Sequence, residues 1–229
     1  MLRPSELDWP ARFKNDYACT LPNGELLLIG QSATSGRRSD DDPGDTGACV
    51  WDGALVLAQH LGRESAWKKL CAPLPCPAPA LVLELGAGTA LAGLAVHRCH
   101  RVPVLLTDLD SALPLTQRNA KAARQAAARA AKPHMPPAPL NVVALKWGDP
   151  PSTAAALGGK RACVVVAADV CYRMLNVPLL ISTLSAVLRP GGVAVLALDT
   201  SHCPEAVQEC RERAEALFRV RQVSAEARA

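Results

Sequence analysis

The sequence is poor in aromatic residues and has no long apolar run. Four tryptophans, two tyrosines and two phenylalanines occur among 229 residues, so the position of each one is informative. No apolar run is long enough to span a bilayer, and the segment from Met1 to Asp8 lacks the apolar core of a secretory leader. These absences predict a protein without a membrane segment, located in the cytoplasm, with the nucleus as the alternative.

An excess of charge of one sign is also missing. The formal net charge is +4, which is too small to indicate nucleic acid as a partner. One basic run without intervening acids comprises Arg118, Lys121, Arg124, Arg129 and Lys132. Because these residues do not share one face of a helix, a solvated helix surface is favoured over a patch for an anionic partner.

Cysteine and histidine do not occur at the spacings of a disulfide framework or a metal site. The nine cysteines are odd in number and scattered, which indicates reduced thiols in an intracellular protein. The cluster from His97 to His100 lacks a second ligand pair and predicts a helix end. The acids Asp40, Asp41, Asp42 and Asp45 lack the periodicity of a calcium loop. No metal is therefore predicted.

The length and composition fit one folded domain, with 49% hydrophobic and 20% charged residues. Residues 1–45 are predicted to form an N-terminal hairpin and a polar flexible insertion, and residues 46–229 the main domain. The hairpin pairs residues 17–20 with 25–29 around the turn residues Pro22, Asn23 and Gly24.

In the main domain, short apolar runs alternate with helical periodicity. The predicted strands are 81–85, 104–108, 140–145, 162–168 and 193–198; the predicted helices are 50–61, 64–70, 90–98, one starting near 111, 177–188 and 204–217. Strands separated by helices predict a Rossmann-like α/β fold with a doubly wound, mostly parallel sheet. Such a sheet binds its ligand outside the carboxyl ends of the strands.

Two of these strand ends carry the chemistry of a nucleotide-like cofactor. The first strand leads into the glycine loop 84–90, and Asp108 lies 20 residues beyond Gly88, where a carboxylate binds ribose hydroxyls. The strict dinucleotide pattern requires a third glycine, but position 91 is Leu91. Glu84 also suits a cationic ligand better than a diphosphate. An oxidoreductase that uses NAD is therefore disfavoured.

The next strand ends carry an aromatic residue and a second carboxylate. Trp147 follows the third strand, where it packs against an adenine or simply within the core. Asp169 and Tyr172 directly follow a fully apolar strand. A carboxylate at such a position is costly to bury unless it faces a pocket. The spacing predicts a site at this edge of the sheet.

Several motifs together resemble the lysine-specific group of the seven-strand methyltransferases, methyltransferase family 16. The matching segments are 46–54 (Thr-Gly-Ala-Cys-Val-Trp-Asp-Gly-Ala), 83–89 (Leu-Glu-Leu-Gly-Ala-Gly-Thr), 107–109 (Thr-Asp-Leu), 113–115 with Asn119, 144–149 (Ala-Leu-Lys-Trp-Gly-Asp) and 168–172 (Ala-Asp-Val-Cys-Tyr). The glycine loop is generic to methyltransferases, whereas Val-Trp-Asp, Leu-Lys-Trp-Gly-Asp and Asp-x-x-Tyr in this order are far more specific.

The resemblance implies an enzyme that uses S-adenosylmethionine to methylate a lysine of a protein substrate, such as a chaperone, a translation factor or an ATPase. The residues implied to contact the cofactor are Trp51, Glu84, Gly86, Ala87, Gly88, Asp108, Trp147 and Ala168. Asp169 and Tyr172 match the motif at the mouth where the substrate side chain enters. We expect Asp169 to accept a hydrogen bond from the lysine amine and Tyr172 to line the channel. A monomer is expected.

The sequence departs from the family pattern in three places. Ala90 replaces a usual glycine, and residues 197–202 (Ala-Leu-Asp-Thr-Ser-His) lack the arginine-bearing pattern of relatives. Only the first strand of the family's closing antiparallel hairpin is matched, by residues 218–223. Two alternatives therefore stay open: a non-catalytic or truncated scaffold, and a methyltransferase acting on arginine, histidine, a small molecule or a nucleic acid. The motif at 169–172 lacks the Asn/Asp-Pro-Pro-aromatic pattern of nucleic-acid amino-methylases.

Overall fold

The computed structural model describes residues 16–32, 47–75, 81–130 and 136–223. Strands β1 (Tyr17–Thr20) and β2 (Leu26–Ile29) form an antiparallel hairpin in which Tyr17 pairs with Ile29. The amide of Leu21 donates to the carbonyl of Glu25 at 2.8 Å to close the turn. The predicted hairpin is thus confirmed. The boundary predicted between residues 45 and 46, the acids 40–45 and Lys132 lie outside the described residues.

A five-stranded parallel sheet forms the centre of the main domain. Its strands are β3 (Val82–Leu85), β4 (Val104–Asp108), β5 (Leu140–Ala144), β6 (Ala162–Ala168) and β7 (Leu188–Ala197), in the order β5-β4-β3-β6-β7. All four neighbouring pairs are parallel. The chain runs outward from β3 through β4 to β5 and then returns to β6 on the other side of β3. The crevice at the carboxyl end of β3 is therefore the switch point where such folds bind ligands.

Helices connect the strands, and each predicted helix has a counterpart among them. They are α1 (Asp52–Leu61), α2 (Glu64–Cys71), α3 (Leu91–His100), α4 (Leu113–Ala130), α5 (Pro150–Leu157), α6 (Val177–Val187) and α7 (Pro204–Glu215), with a 3₁₀ turn at Met174–Asn176. Helix α3 ends at His100, with Arg101 in the left-handed conformation as its cap, which confirms the predicted helix end. Helix α5 was not predicted, although Asp149 caps it by accepting from Ser152 N at 3.0 Å.

The two faces of the sheet bury two separate cores, which makes the fold doubly wound as predicted. Alternate strand residues such as Val82 and Leu106 pack with the hairpin and with α1 to α4. Leu83 and Leu105 point to the opposite face and pack with α6 and α7. Strand β6 is buried almost throughout because helices cover both of its faces.

The prediction of a strand at residues 218–223 is wrong. The amides of Leu217 and Phe218 both donate to the carbonyl of Ala214, at 3.1 and 2.8 Å, and close the end of α7. Phe218 then packs against the core on the α6 and α7 face instead of extending along the sheet. Within the described residues β7 is therefore an edge strand, and it begins at Leu188, five residues before the predicted start.

The basic run on α4 has specific local partners. Arg118 donates to the carbonyl of Gln31 at 3.2 Å and lies 3.8 Å from Asp16, so it ties the helix to the hairpin. Arg124 donates to the carbonyl of Leu140 at 2.8 Å. These contacts support the interpretation of this run as an ordinary helix surface. Among the described residues, none of the helices combines the length and the apolar character that crossing a membrane requires.

Candidate functional site

The loop between β3 and α3 adopts conformations that favour glycine. Gly86 and Gly88 have φ values of +67° and +51°. A Cβ on Gly86 would lie 3.0 Å from Cζ2 of Trp147 and 3.1 Å from Cγ1 of Val170. A Cβ on Gly88 would lie 2.9 Å from the carbonyl oxygen of Gly47. Backbone conformation and close approach therefore both require glycine at these two positions.

The departure at Ala90 is accommodated in the same loop. Ala90 takes a left-handed conformation, with φ +67°, at the residue that caps α3. Its amide donates to the carbonyl of Ala87 at 2.6 Å, and its side chain is fully buried. The loop therefore keeps its turn at this position although the residue has a Cβ.

Asp108 at the end of β4 holds the glycine loop in place. Its Oδ2 accepts from the amide of Gly88 at 2.7 Å and its Oδ1 from the amide of Leu109 at 2.7 Å. Burial raises the pKa of Asp108 above its ordinary value, and these two hydrogen bonds oppose the rise. Each oxygen has a second lone pair, so the carboxylate retains the capacity to accept from ribose hydroxyls.

Glu84 lies inside β3 and is almost completely buried. Its Oε2 accepts from the amide of Gly93 on α3 at 3.0 Å. Burial raises the pKa of Glu84 to about 8, opposed by the hydrogen bond from Gly93 and increased further by the neighbouring charge of Asp108. A positively charged ligand above the glycine loop would favour the ionised form of this carboxyl group.

Trp147 lies against the glycine loop. The contact with a Cβ built on Gly86 shows that the six-membered part of its indole ring faces the loop backbone. The next residue, Gly148, has φ +72° and donates to Oγ1 of Thr183 at 2.9 Å, which anchors the Trp147 segment to α6. The ring is only partly buried. The position is consistent with the predicted packing against an adenine.

Asp169 connects three elements at the end of β6. It has a left-handed backbone, with φ +51°, and its Oδ2 accepts from the amide of Gly53 on α1 at 2.8 Å. Its Oδ1 accepts from the amide of Asp199 after β7 at 3.1 Å. Burial raises the pKa of Asp169, the two hydrogen bonds oppose the rise, and the carboxylates of Asp199 and Asp52 add to it. This unusual conformation aims the carboxylate at the neighbouring elements.

Trp51 lies directly before α1, beside a pair of residues that the sequence analysis did not assign to the site. The imidazole of His202 meets the indole of Trp51 edge to face, with ring centroids 5.9 Å apart and planes at 83°. Nε2 of His202 lies 3.6 Å from Oδ2 of Asp199. The amide and hydroxyl of Ser201 donate to the Asp199 carboxylate at 2.8 and 2.7 Å.

The structure brings most of the predicted site residues to one edge of the sheet. The contacts of Gly86 join Trp147 to Val170, and Val170 directly follows Asp169. Ala168 ends β6 and pairs with Ala197, while Ala87 donates to the carbonyl of Thr107 at 2.9 Å. Tyr172 is partly buried on the loop after β6. The roles of these side chains toward cofactor and substrate stay predictions.

Four residues at this edge were missed: Gly47, Gly53, Asp199 and His202. Gly47 and Gly53 fall within the segment 46–54, and both allow close backbone contact. A Cβ on Gly53 would lie 2.5 Å from Oδ2 of Asp169. Asp199 and His202 lie in the segment that departs from the family pattern. The resemblance to the family therefore assigned no role to either residue.

The residues present fit S-adenosylmethionine. Four features occur together at this edge of the sheet. They are a glycine loop without room for a Cβ, the Asp108 carboxylate placed to bind ribose, the partly exposed indole of Trp147 over the loop, and the buried carboxyl group of Glu84. In the part of the chain that the structure describes, no group of three or more His, Cys, Asp or Glu side chains could hold a metal ion. His97 and His100 contact the carbonyls of Ala138 and Leu61 at 2.9 and 2.6 Å instead.

Comparison with family models gives a match over most of the chain. The model of a family described as lysine methyltransferase matches residues 37–209. No curated protein matches the chain in a sequence comparison.

Solved structures with related folds are distant from this chain. An O-methyltransferase family protein from Burkholderia thailandensis is 14% identical, with a TM-score of 0.40, and the match covers 63% of this chain and 40% of that protein. A ribosomal protein L11 methylase from Lactobacillus delbrueckii subsp. bulgaricus is 20% identical, with a TM-score of 0.43, and the match covers 72% of this chain and 70% of that protein. A SAM-dependent methyltransferase from Agrobacterium tumefaciens is 14% identical, with a TM-score of 0.47, and the match covers 88% of this chain and 59% of that protein.

Proposed function

Because this chain belongs to the lysine methyltransferase family, we propose that it transfers a methyl group from S-adenosylmethionine to a lysine side chain of a protein substrate. The observation that carries the proposal is the family match over residues 37–209, which include the whole of the candidate site. A chaperone, a translation factor or an ATPase is the substrate class that the resemblance implies. A cytoplasmic or nuclear location and a monomeric state belong to the same proposal.

The cofactor residues have distinct roles in this proposal. When bound, S-adenosylmethionine would supply a methyl group activated by its sulfonium, with the sulfur as the leaving group that keeps the electron pair. Asp108 binds the ribose hydroxyls through its second lone pairs, and Trp147 packs against the adenine. Gly86 and Gly88 allow the backbone to approach the ligand closely. The Glu84 carboxyl lies beneath the positively charged end.

Asp169 orients the incoming amine. Both of its oxygens already accept one backbone amide, which fixes the carboxylate in a single orientation. The remaining lone pairs accept an N–H of the lysine amine and turn the nitrogen lone pair toward the methyl group. Tyr172 lines the channel, where an aromatic face also suits a methylated ammonium.

Cofactor binding tests the first half of the proposal. In Asp108→Ala we expect the affinity for S-adenosylmethionine, measured by titration calorimetry, to fall by at least tenfold, since hydrogen bonds to a charged group contribute roughly 1.5–3 kcal/mol each. The matched control is Asp110→Ala, an exposed aspartate in the same loop. Equal affinity of both variants and the wild type would refute the assignment of Asp108.

Methyl transfer tests the second half. Heat-inactivated total cell protein and methyl-labelled S-adenosylmethionine serve as acceptor and donor, and labelled bands are digested to identify the modified residue. We expect label on lysine with the wild type and none with Asp169→Ala, which keeps its cofactor affinity. Label on arginine or histidine would identify another acceptor. Cofactor binding without any labelled band would identify a scaffold and contradict the proposal.

A further inference from the structure

We propose that His202, held by Asp199, takes the proton that the substrate lysine must lose before it can be methylated. This inference rests on the proposed function and adds a catalytic residue to it. The relevant side chains form a rim cluster, defined as Trp51, Asp52, Asp169, Asp199 and His202. They come from the start of α1 and the residue before it, the end of β6, and the segment between β7 and α7.

The reaction needs a proton acceptor for a chemical reason. A lysine side chain, with an ordinary pKa of about 10.4, is an ammonium at neutral pH and has no lone pair with which to attack. The three carboxylates of the rim cluster attract the amine in this charged form. Asp169 receives it with one lone pair of each oxygen engaged by a backbone amide, and its remaining lone pairs position the nitrogen. We assign the removal of the proton to a different group.

His202 is placed for this role. Its side chain is 60% exposed and its ring contacts Trp51, the residue that precedes Asp52 and Gly53 on α1. Gly53 in turn donates to Asp169 at 2.8 Å, so the Trp51–Gly53 segment connects the imidazole to the group that receives the amine. Imidazole is the side chain that most often serves as a general base, either directly or through one water.

Asp199 is the carboxylate next to the imidazole. Its Oδ2 lies 3.6 Å from Nε2 of His202, which is ion-pair distance once the ring is protonated. Two hydrogen bonds from Ser201 fix this carboxylate, and its own amide is bound by Asp169. In the proposed step Asp199 faces Nε2 of the ring, and Nδ1 accepts the proton.

The other described histidines are committed elsewhere. His97 and His100 lie on α3 and contact backbone carbonyls at 2.9 and 2.6 Å, and His60 lies in the last turn of α1, at the opposite end from Trp51. Among the described residues, His202 is thus the histidine at this edge of the sheet.

The proposed step balances without another reactant. An N–H bond of the ammonium breaks and its electron pair stays on the amine nitrogen. The proton bonds to the lone pair of His202 and gives an imidazolium, which passes it to water after transfer. The neutral amine then forms the new N–C bond.

Rates at several pH values test the step. With heat-inactivated total cell protein as acceptor, we expect His202→Gln to lower the initial rate about a hundredfold at pH 7. The defect should shrink to less than about fivefold near pH 11, where lysine with a pKa of about 10.4 is largely neutral in solution. Free imidazole should restore activity to His202→Ala. His60→Gln is the matched control and should have the wild-type rate throughout, while cofactor affinity and melting temperature stay unchanged in all variants.

A binding measurement provides a readout that does not depend on turnover. n-Butylammonium, which carries the charged end of a lysine side chain, should shift the imidazole NMR resonances of His202 and leave those of His60 unchanged. A wild-type rate in His202→Gln at pH 7, or a defect that is equal at every pH and insensitive to imidazole, would overturn the inference while the proposed function stands. A wild type that labels no protein would contradict the proposed function itself, and this inference with it.

Discussion

Gly86 is one of two residues in the glycine loop that leave no room for a side chain. In Gly86→Ala we expect the free energy of unfolding to fall by about 1–2 kcal/mol, because the new Cβ is strained in the left-handed backbone conformation. Crowding against Trp147 and Val170 adds about 1–3 kcal/mol, because neither neighbour is the mobile end of a flexible chain. Gly159→Ala is the control, since Gly159 has φ +78° but open space around it. Urea unfolding should show a larger loss of stability for Gly86→Ala, and calorimetry should show lost cofactor affinity. Equal losses in stability for Gly86→Ala and Gly159→Ala would mean that Trp147 and Val170 move to make room for the new side chain.

Glu84 makes the stability of the protein depend on pH. Its folded-state pKa of about 8 lies above the unfolded value, so the folded state keeps a proton that the unfolded state loses. Below about pH 4.5 both states are protonated and the group has no effect. As the pH rises from there to about 8, the free energy of unfolding falls by up to about 1.4 kcal/mol per pH unit, and it levels off at higher pH.

Glu84→Gln removes this dependence because an amide does not titrate. We expect the variant to gain stability relative to the wild type as the pH is raised from 5 to 8, with little difference at pH 4.5. Urea unfolding at fixed ionic strength across this range measures the difference between the two proteins. Parallel stability curves would show that the Glu84 carboxyl is ionised in the folded protein.

At the scale of elements, Asn119 on α4 connects the hairpin to the glycine loop. Its Oδ1 accepts from the amide of Gly30 at 2.9 Å, and its Nδ2 donates to the carbonyls of Gly30 and Thr89, both at 3.0 Å. All three bonds are buried, so a truncation leaves polar backbone groups without partners. The position of the hairpin and the shape of the glycine loop therefore depend on one amide side chain.

Asn119→Ala should destabilise the protein by at least about 2 kcal/mol in urea unfolding, since each buried unsatisfied group costs about 1–3 kcal/mol. The control is Asn23→Ala, which removes an exposed bond to the amide of Glu25 at 3.0 Å and should cost below about 1 kcal/mol. Limited proteolysis should cleave the Asn119 variant faster within residues 16–32. Similar costs for the two variants would contradict the role of Asn119.

At the scale of the whole molecule, the sheet is protected in its centre and open along β7. Strands β3 and β6 have neighbours on both sides, whereas β7 pairs only with β6 among the described residues. In hydrogen exchange, we expect slow exchange at successive amides of residues 164–167 and an alternation of slow and fast amides at residues 193–197. Uniform protection along β7 would show that another strand covers this edge in solution.

Most elements followed from local patterns, and the errors have identifiable causes. The apolar run at 162–168 predicted a buried strand, and helices packed on both faces confirm it. Helix α5 was missed because Pro150, Pro151 and the small residues after them give no amphipathic period, although the cap at Asp149 was a usable signal. The run at 218–223 resembled a strand, but a strand needs a neighbouring strand to pair with. Phe218 instead packs against the core at the end of α7.

The sequence by itself determined the family, the alternation of strands and helices, and the residue types at the carboxyl ends of the strands, because periodicity and short motifs are local properties. Only the tertiary structure decided which of these residues meet. Asp169 reaches Gly53 across 116 residues and joins Asp199, and His202 comes to rest against Trp51. Such contacts depend on strand order and on the packing of helices over both faces of the sheet, which no window of sequence specifies. The rim cluster therefore forms only in the folded protein, whereas the glycine loop could be predicted from its sequence motif.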